Sequence, residues 1–271
     1  MAPRRLAFSI LLGAALGLAA SGSAWSQDDP GSLGADRDWR FVEQLRADGM
    51  QDVAARQLEA FAREHPDDPR AAKALLDAAA LYRGLDQPVA ALGAYEKVLE
   101  RYPRSQEAPE ALLQKGDLLA ASNRHGEAAD AYRSLLTSYP AVSQADAARL
   151  GLGEAALALG QTDEAARLFR YLVGGRAPAP LAARALFDLG VLNEKAGRDS
   201  LAMESFDAVS RRFPDQVIGA FGLLRSAEIL ARREAPAAAR QRYEAVVQRY
   251  GDPFLQARAD LGLAALDEAQ G

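Results

Sequence analysis

Every 37 residues the chain returns to one short pattern, six times without a slip. A small residue opens it, at Ala54, Ala91, Ala128, Ala165, Ala202 and Ala239. Four positions on stand Leu58, Tyr95, Tyr132, Phe169, Phe206 and Tyr243, and three beyond those Phe61, Val98, Leu135, Leu172, Val209 and Val246. The pattern closes on Pro66, Pro103, Pro140, Ala177, Pro214 and Gly251. A fixed period in this range means one supersecondary unit stacked on copies of itself, each burying its apolar face only against its neighbours. Six units account for residues 36–251 of 271 and leave no room for a second globular domain.

Each unit reads as two helices. In the third, residues 107–121 carry Leu112, Leu113, Gly116 and Leu119 at spacings of three and four, which is one face of a helix. Residues 123–126 are turn-like, including His125 at the slot where two other units have Pro88 and Pro236. Residues 127–138 form the second helix, with Ala128, Ala131, Tyr132, Leu135 and Leu136 on its buried side, and Tyr139-Pro140 stops it. A small residue recurs in the middle of the first helix, as Ala79, Gly116, Gly153, Gly190 and Ala227; only the first unit departs, with Val42. Glycine in mid-helix costs roughly 1 kcal/mol relative to alanine, so three there imply close approach by the second helix. The Gly174-Gly175 pair, where the fourth unit lacks its Pro, reads as a looser joint. After Pro253, residues Phe254, Ala257, Leu261, Ala264, Ala265 and Glu268 outline an amphipathic helix within 252–271 that caps the open end. The fold expected is all-α: a solenoid of six 37-residue helical hairpins plus a C-terminal capping helix.

A small residue in the first helix, then Ala, an aromatic and Pro in the second, resembles the tetratricopeptide repeat, here with three residues added before each first helix. The join Tyr102-Pro103-Arg104-Ser105-Gln106-Glu107-Ala108-Pro109-Glu110-Ala111-Leu112 is similar to that of bacterial envelope versions, the Tol-Pal-associated and barrel-assembly lipoprotein types. Two features depart from those types: the chain has no cysteine to carry a lipid, and no heptad coiled coil precedes the repeats. Ankyrin and leucine-rich signatures are missing. The Sel1-like array is the nearest structural rival, and the Pro closing most second helices argues against it.

The first 26 residues have a different character. Arg4 and Arg5 precede a 15-residue apolar run, Leu6–Ala20, and small residues lead to Ala24-Trp25-Ser26. This is the layout of a cleavable export signal, cut after Ala24 or Ser26, and the run is short for a membrane span of about 20 residues. Residues 27–35 read as a flexible linker.

Little in the sequence points to catalysis. The absence of cysteine removes disulfides, thiolate metal sites and thiol nucleophiles. Neither of the two histidines is clustered with other ligands in sequence, and no phosphate-binding Gly-rich loop or nucleophile elbow is present. His65 reads as a helix-end packing residue. No enzyme activity and no cofactor are expected. A net charge of −5 without a basic run argues against nucleic acid as a partner.

Binding is the expected role. The resemblance implies that first helices line a concave groove, into which the residue three before the small position projects: Trp39, Leu76, Leu113, Leu150, Phe187 and Leu224. One turn on come Glu43, Ala80, Asp117, Glu154, Val191 and Glu228. This apolar ladder is either partly inter-unit core or a surface for a peptide or helix; both readings fit. The cationic positions of a carboxylate-clamping groove are absent, so a basic or apolar segment is the expected ligand. The function expected is a periplasmic scaffold within an envelope assembly or division complex. Self-association as a structural solenoid, or an accessory role in polysaccharide export, stand as alternatives.

Overall fold

The computed structural model describes residues 30–270, so the expected export signal and residues 27–29 lie outside it. All thirteen described elements are α-helices. Six hairpins follow in order: α1 (Pro30–Ala47) with α2 (Gln51–Glu64), α3 (Ala71–Gly84) with α4 (Pro88–Arg101), α5 (Glu107–Ala121) with α6 (His125–Ser138), α7 (Ala145–Ala158) with α8 (Thr162–Gly174), α9 (Ala179–Lys195) with α10 (Asp199–Arg212), and α11 (Val217–Arg232) with α12 (Pro236–Arg249). A final helix, α13 (Pro253–Gln270), closes the series. Each helix packs on the ones before and after it in the chain. First helices α3, α5, α7, α9, α11 and α13 also each touch the next in that series, whereas second helices are held further apart. The array therefore curves with first helices inside and second helices outside, as a solenoid.

The repeating positions form the core. All six opening alanines are fully buried, and the residues four and seven positions on are 5% exposed or less. Close approach explains the glycines. A methyl group on Gly116 would lie 2.5 Å from the Tyr132 ring, and one on Gly153 would lie 2.6 Å from Phe169. Tyr132 is clasped from both sides, because a methyl on Gly151 of the next unit would also meet its ring at 2.5 Å. The exceptional first unit reverses the sizes: Val42 faces the same way, and Leu58 replaces the aromatic.

The turn inside each hairpin uses one device throughout. Gly49, Asp86, Asn123, Gly160, Gly197 and Glu234, again 37 apart, have φ between 55° and 76°. The next residue's N–H donates to the carbonyl five back, as from Met50 to Leu45, Gln87 to Tyr82 and Ala235 to Leu230. This is the 6→1 bond of a left-handed helix stop. Glu234 is the residue type least suited to that backbone, since a Cβ costs on the order of 1 kcal/mol there. Glu234→Gly is expected to raise stability by about 0.5–1 kcal/mol, read as a higher urea midpoint. A lower midpoint would show that the Glu234 side chain makes a contact worth more than the strain.

Between units, the tyrosine before proline stitches one hairpin to the last. Tyr102 donates its hydroxyl to the Pro66 carbonyl at 3.1 Å, and Tyr139 donates to that of Pro103 at 2.5 Å. The fourth unit, without this pair, passes through Gly175, where a side chain would meet the Tyr171 carbonyl at 2.8 Å. There Arg212 donates to the Val173 carbonyl at 3.2 Å instead.

Three sequence readings are revised. The stretch 30–35 is the start of α1 rather than linker: Ala35 is 2% exposed in the core and Gly34 lies against His65. His125 is the first residue of α6, not a turn residue, matching Pro88 and Pro236 at the starts of α4 and α12. In α13 the buried side is Leu255, Ala259 and Leu266, while Phe254 and Leu261 are 67% and 72% exposed. The repeat's phase and the lack of a following hairpin among the described residues decide this together. Gly262 stands three periods after Gly151 and packs on Tyr243 as Gly151 packs on Tyr132. α13 thus has the register of a first helix: Leu261 falls in the column of Leu224 and Ala257 in that of Ala220, and both are exposed because no further hairpin covers them among the described residues.

Candidate binding groove

Side-chain ties run along the inner surface from each first helix to the next. Arg46 pairs with Asp77 at 3.3 Å, and Arg83 donates to Gln114. Gln144, at the start of α7, donates to Glu110 at 3.2 Å, and Arg184 pairs with Glu154 at 3.0 Å. Arg225 and Arg232 both hold Glu194, at 2.6 and 2.9 Å, and Arg258 holds Glu228 at 2.8 Å. The ladder residues run beside the tie positions on each first helix: Arg184, Asp188 and Val191 all lie within about one turn of Phe187 and flank it on one side.

The ladder is part core and part surface. Leu76, Leu113, Leu150 and Phe187 are half-buried and pack against the neighbouring core. Phe187 stacks at a tilt on Phe206, with ring centroids 5.2 Å apart. Leu224 is only 1% exposed, so at its end of the array this position belongs to the core and offers nothing to a ligand. At the other end Trp39 is half-buried, edge-on to Phe61 at 5.2 Å, with the Arg70 guanidinium 5.4 Å from its ring centroid.

The acidic row is mostly engaged. Trp39 Nε1 donates to Glu43 at 3.1 Å, and Tyr132 donates its hydroxyl to Asp117 at 2.7 Å. Glu228 holds both Arg225 and Arg258. Asp117, Glu154 and Glu228 therefore also fix one helix to another, while Glu43 is held within α1. The middle of the groove is the exception in charge balance. Glu154 and Asp188 share the single guanidinium of Arg184, each at 3.0 Å, with Asp117 nearby. Asp188 is 4% exposed. Burial, and then repulsion from Asp188, pushes the Glu154 carboxyl up to about 7 against the pull of Arg184. Burial raises Asp188 as well. A locally acidic patch thus lies beside Leu150 and Phe187, suited to a ligand with apolar and cationic groups.

Sequence reasoning missed Asp188 and Arg184. Their columns gave a signal, since the positions equivalent to Asp188 are Arg40, Asp77, Gln114, Gly151 and Arg225, largely polar in the middle of an apolar helix face. At the N-terminal end, His65 Nε2 lies 3.0 Å from Asp38 and its ring lies 5.1 Å from that of Phe61, in keeping with a packing role at a helix end. Asp38, Glu64 and His65 bring ligand atoms within 4.8 Å of one another, but Arg37 and Arg63 already hold the two carboxylates. Among the described residues no helix is long and apolar enough to cross a membrane.

Comparison with known proteins agrees with this architecture. The tetratricopeptide repeat family model matches residues 76–143, 142–180 and 150–217, together more than half of the chain. No relative among curated proteins matches in sequence. Among solved structures, a tetratricopeptide repeat protein from Parabacteroides merdae is similar over 87% of this chain and 93% of its own, with a TM-score of 0.63 and 16% identity. PilW, a type IV pilus biogenesis factor, is similar over 83% and 97% with a TM-score of 0.59 and 19% identity. YrrB, a repeat protein with an unusual peptide-binding site, is similar over 75% and 98% with a TM-score of 0.52 and 20% identity. The chain belongs to the tetratricopeptide repeat family.

Proposed function

We propose that this protein is a non-catalytic periplasmic scaffold that holds a partner peptide or helix on the inner face of the solenoid, within a cell-envelope assembly or division complex. The observation that carries the reading is the middle of the groove, where half-buried Leu150 and Phe187 adjoin two carboxyls served by one guanidinium. A segment presenting an apolar side chain next to Lys or Arg would cover the first and balance the second. Trp39, Leu76 and Leu113, with Glu43 and Asp117, extend the surface toward the N-terminal end, and Glu228 marks its other end. Fully buried Leu224 is left out of the binding surface. The envelope setting is supported by Arg4-Arg5 and the apolar run Leu6–Ala20. PilW and YrrB, one a pilus biogenesis factor and the other carrying a peptide-binding site, make both halves of the reading reasonable for this fold.

The test is affinity capture from envelope extract, with crosslinking, using the wild type, Leu150→Asp and Phe187→Asp. Both substitutions place a charge where a ligand's apolar group would sit, and loss of such an anchor costs about 2 kcal/mol or more, at least tenfold in retained partner. Helicity by circular dichroism must be unchanged. Equal recovery of the partner by both variants would remove the groove from the proposal.

A further inference from the structure

On the outer surface a furrow runs between each pair of successive second helices, floored by the first helix that lies between them. Four furrows are bridged by side chains. Glu59 holds Lys97 at 2.6 Å across α2 and α4, and Arg133 holds Glu164 at 3.2 Å across α6 and α8. Arg212 reaches the Val173 carbonyl across α8 and α10, and Asp207 holds Arg242 at 2.9 Å across α10 and α12. The furrow between α4 and α6 has no such bridge along its length among the described residues. Glu96 stands where Glu59, Arg133 and Asp207 do, but it is drawn down to Lys115 of the floor at 2.8 Å. The four α6 positions that supply a bridge elsewhere are here Glu127, held by Arg124, and the short Ala131, Ser134 and Ser138.

The result is an open cavity of about 380 Å³ whose walls are Leu92, Leu99, Leu112, Leu119, Ala131 and Ser134. Its shape has sequence causes. Leu92 replaces the buried Ala55, Ala129 and Ala166 of other units, and Lys115 replaces buried Ala78, Leu152 and Leu189. One unit further on, the matching cavity shrinks to about 290 Å³, because Leu168 and Tyr171 stand in for Ala131 and Ser134. There Tyr171 lies under the Arg149 guanidinium, 4.8 Å from its ring centroid, and Arg149 is the counterpart of Leu112. The repeat thus supplies its own template: an aromatic ring fits above this floor position, and between α4 and α6 no ring of the described chain takes that place. The rim carries Glu96, Glu127 and Asp130 against Lys115 and Arg124, a balance of one negative charge among the lining residues; its most exposed acid, Asp130, also meets Arg133 of α6 at 3.2 Å.

We propose that the cavity between α4 and α6 is a second docking site, on the face opposite the groove, that takes a tyrosine or phenylalanine side chain from a basic helix of a protein partner. Four leucines give a pocket of this size enough apolar surface to bury a single anchor, with Lys115 on the floor turned toward Glu96. The negative rim selects basic flanking residues.

The test uses the whole protein with leucine methyl groups labelled for NMR, and two probes: p-cresol, which is the tyrosine side chain alone, and N-acetyl-Lys-Tyr-Lys-amide. Millimolar p-cresol is expected to shift the methyl signals of Leu92, Leu99, Leu112 and Leu119. The Lys-Tyr-Lys peptide is expected to bind at least fivefold more tightly than its Glu-Tyr-Glu counterpart at low salt. Ser134→Tyr, which copies Tyr171, should abolish both responses with an equal or higher thermal midpoint. Ala131→Leu, which copies Leu168, serves as the plug should Ser134→Tyr fail to fold. Leu150→Asp and Phe187→Asp must leave both responses intact, which separates this site from the groove. Unmoved methyl signals in the wild type, shifts that persist in the plugged variant, or equal binding of the acidic peptide would overturn the proposal.

Discussion

Phe206→Ala is expected to destabilise the array by about 3–5 kcal/mol, the range for deleting a large buried aromatic side chain. Its ring is fully buried and sits against Phe187, Val191, Met203 and Ile229. The upper part of the range applies because the wall opposite the ring is Gly190, which has no side chain to relax into the void. The reciprocal change is also costly. A methyl or larger group at Gly190 would lie well inside contact distance of the Phe206 ring, and overpacking of this kind costs about 1–3 kcal/mol. The first unit shows how the two can compensate, since it pairs Val42 with Leu58 at the same positions. Gly190→Val with Phe206→Leu should therefore cost at least about 1 kcal/mol less than the sum of the two single changes. Urea unfolding followed by circular dichroism measures all three. Strict additivity would mean that the glycine and the ring are not a matched pair.

Much of this fold was legible because one periodicity dictates both helix faces. The opening alanine, the aromatic and the aliphatic that follow it need no further context to be placed in the core. At the C-terminal end the same periodicity is not enough, because a last helix lacks the neighbour that buries its equivalents. Phasing places Ala257 and Leu261 in the columns of buried Ala220 and Leu224, yet with no further hairpin over them among the described residues they are exposed, while Leu255, Ala259 and Leu266 pack on α11 and α12. The left-handed turn was hidden for a chemical reason: Gly49, Asp86, Asn123 and Glu234 share a backbone conformation and not a side-chain type. The groove was legible as a surface and not as a circuit. Sequence gives the column containing Glu154 and Glu228, but their partners Arg184 and Arg258 come from the next unit, 30 residues on, in columns without a fixed charge. Such ties depend on which long side chains happen to face each other across a curved inner surface. The period constrains that only loosely.

The second large effect is expected at Arg184, and it should depend on pH. Among the described residues Arg184 is the one cation paired with Asp188, whose side chain is 6% exposed, and it also holds Glu154. Arg184→Ala leaves two neighbouring carboxyls with no counter-charge. Removing one partner of a buried ion pair costs about 3–5 kcal/mol, and the exposure of half the Arg184 side chain brings the expected loss at pH 8 to about 2–3 kcal/mol. The direction with pH follows from the carboxyls. Glu154 is raised from 4.5 to about 7, and Asp188 is raised as well, so the folded protein binds protons more tightly than the unfolded chain in that window. Their contribution to stability is therefore greatest at low pH and is lost as pH rises from about 4.5 through 7. Two-fifths of the Glu154 side chain meets solvent, which holds its share in the wild type to on the order of 1 kcal/mol. Without Arg184 both carboxyls titrate higher still, so the penalty of Arg184→Ala should shrink markedly between pH 8 and pH 5. Glu154→Gln, with one charge fewer in the cluster, should flatten the wild-type slope and, combined with Arg184→Ala, restore part of the loss at pH 8. Urea midpoints at pH 5, 6, 7 and 8 decide the matter. A penalty for Arg184→Ala that is the same at pH 5 and pH 8 would show that its alkyl stem packs the two helices together and that its charge is incidental.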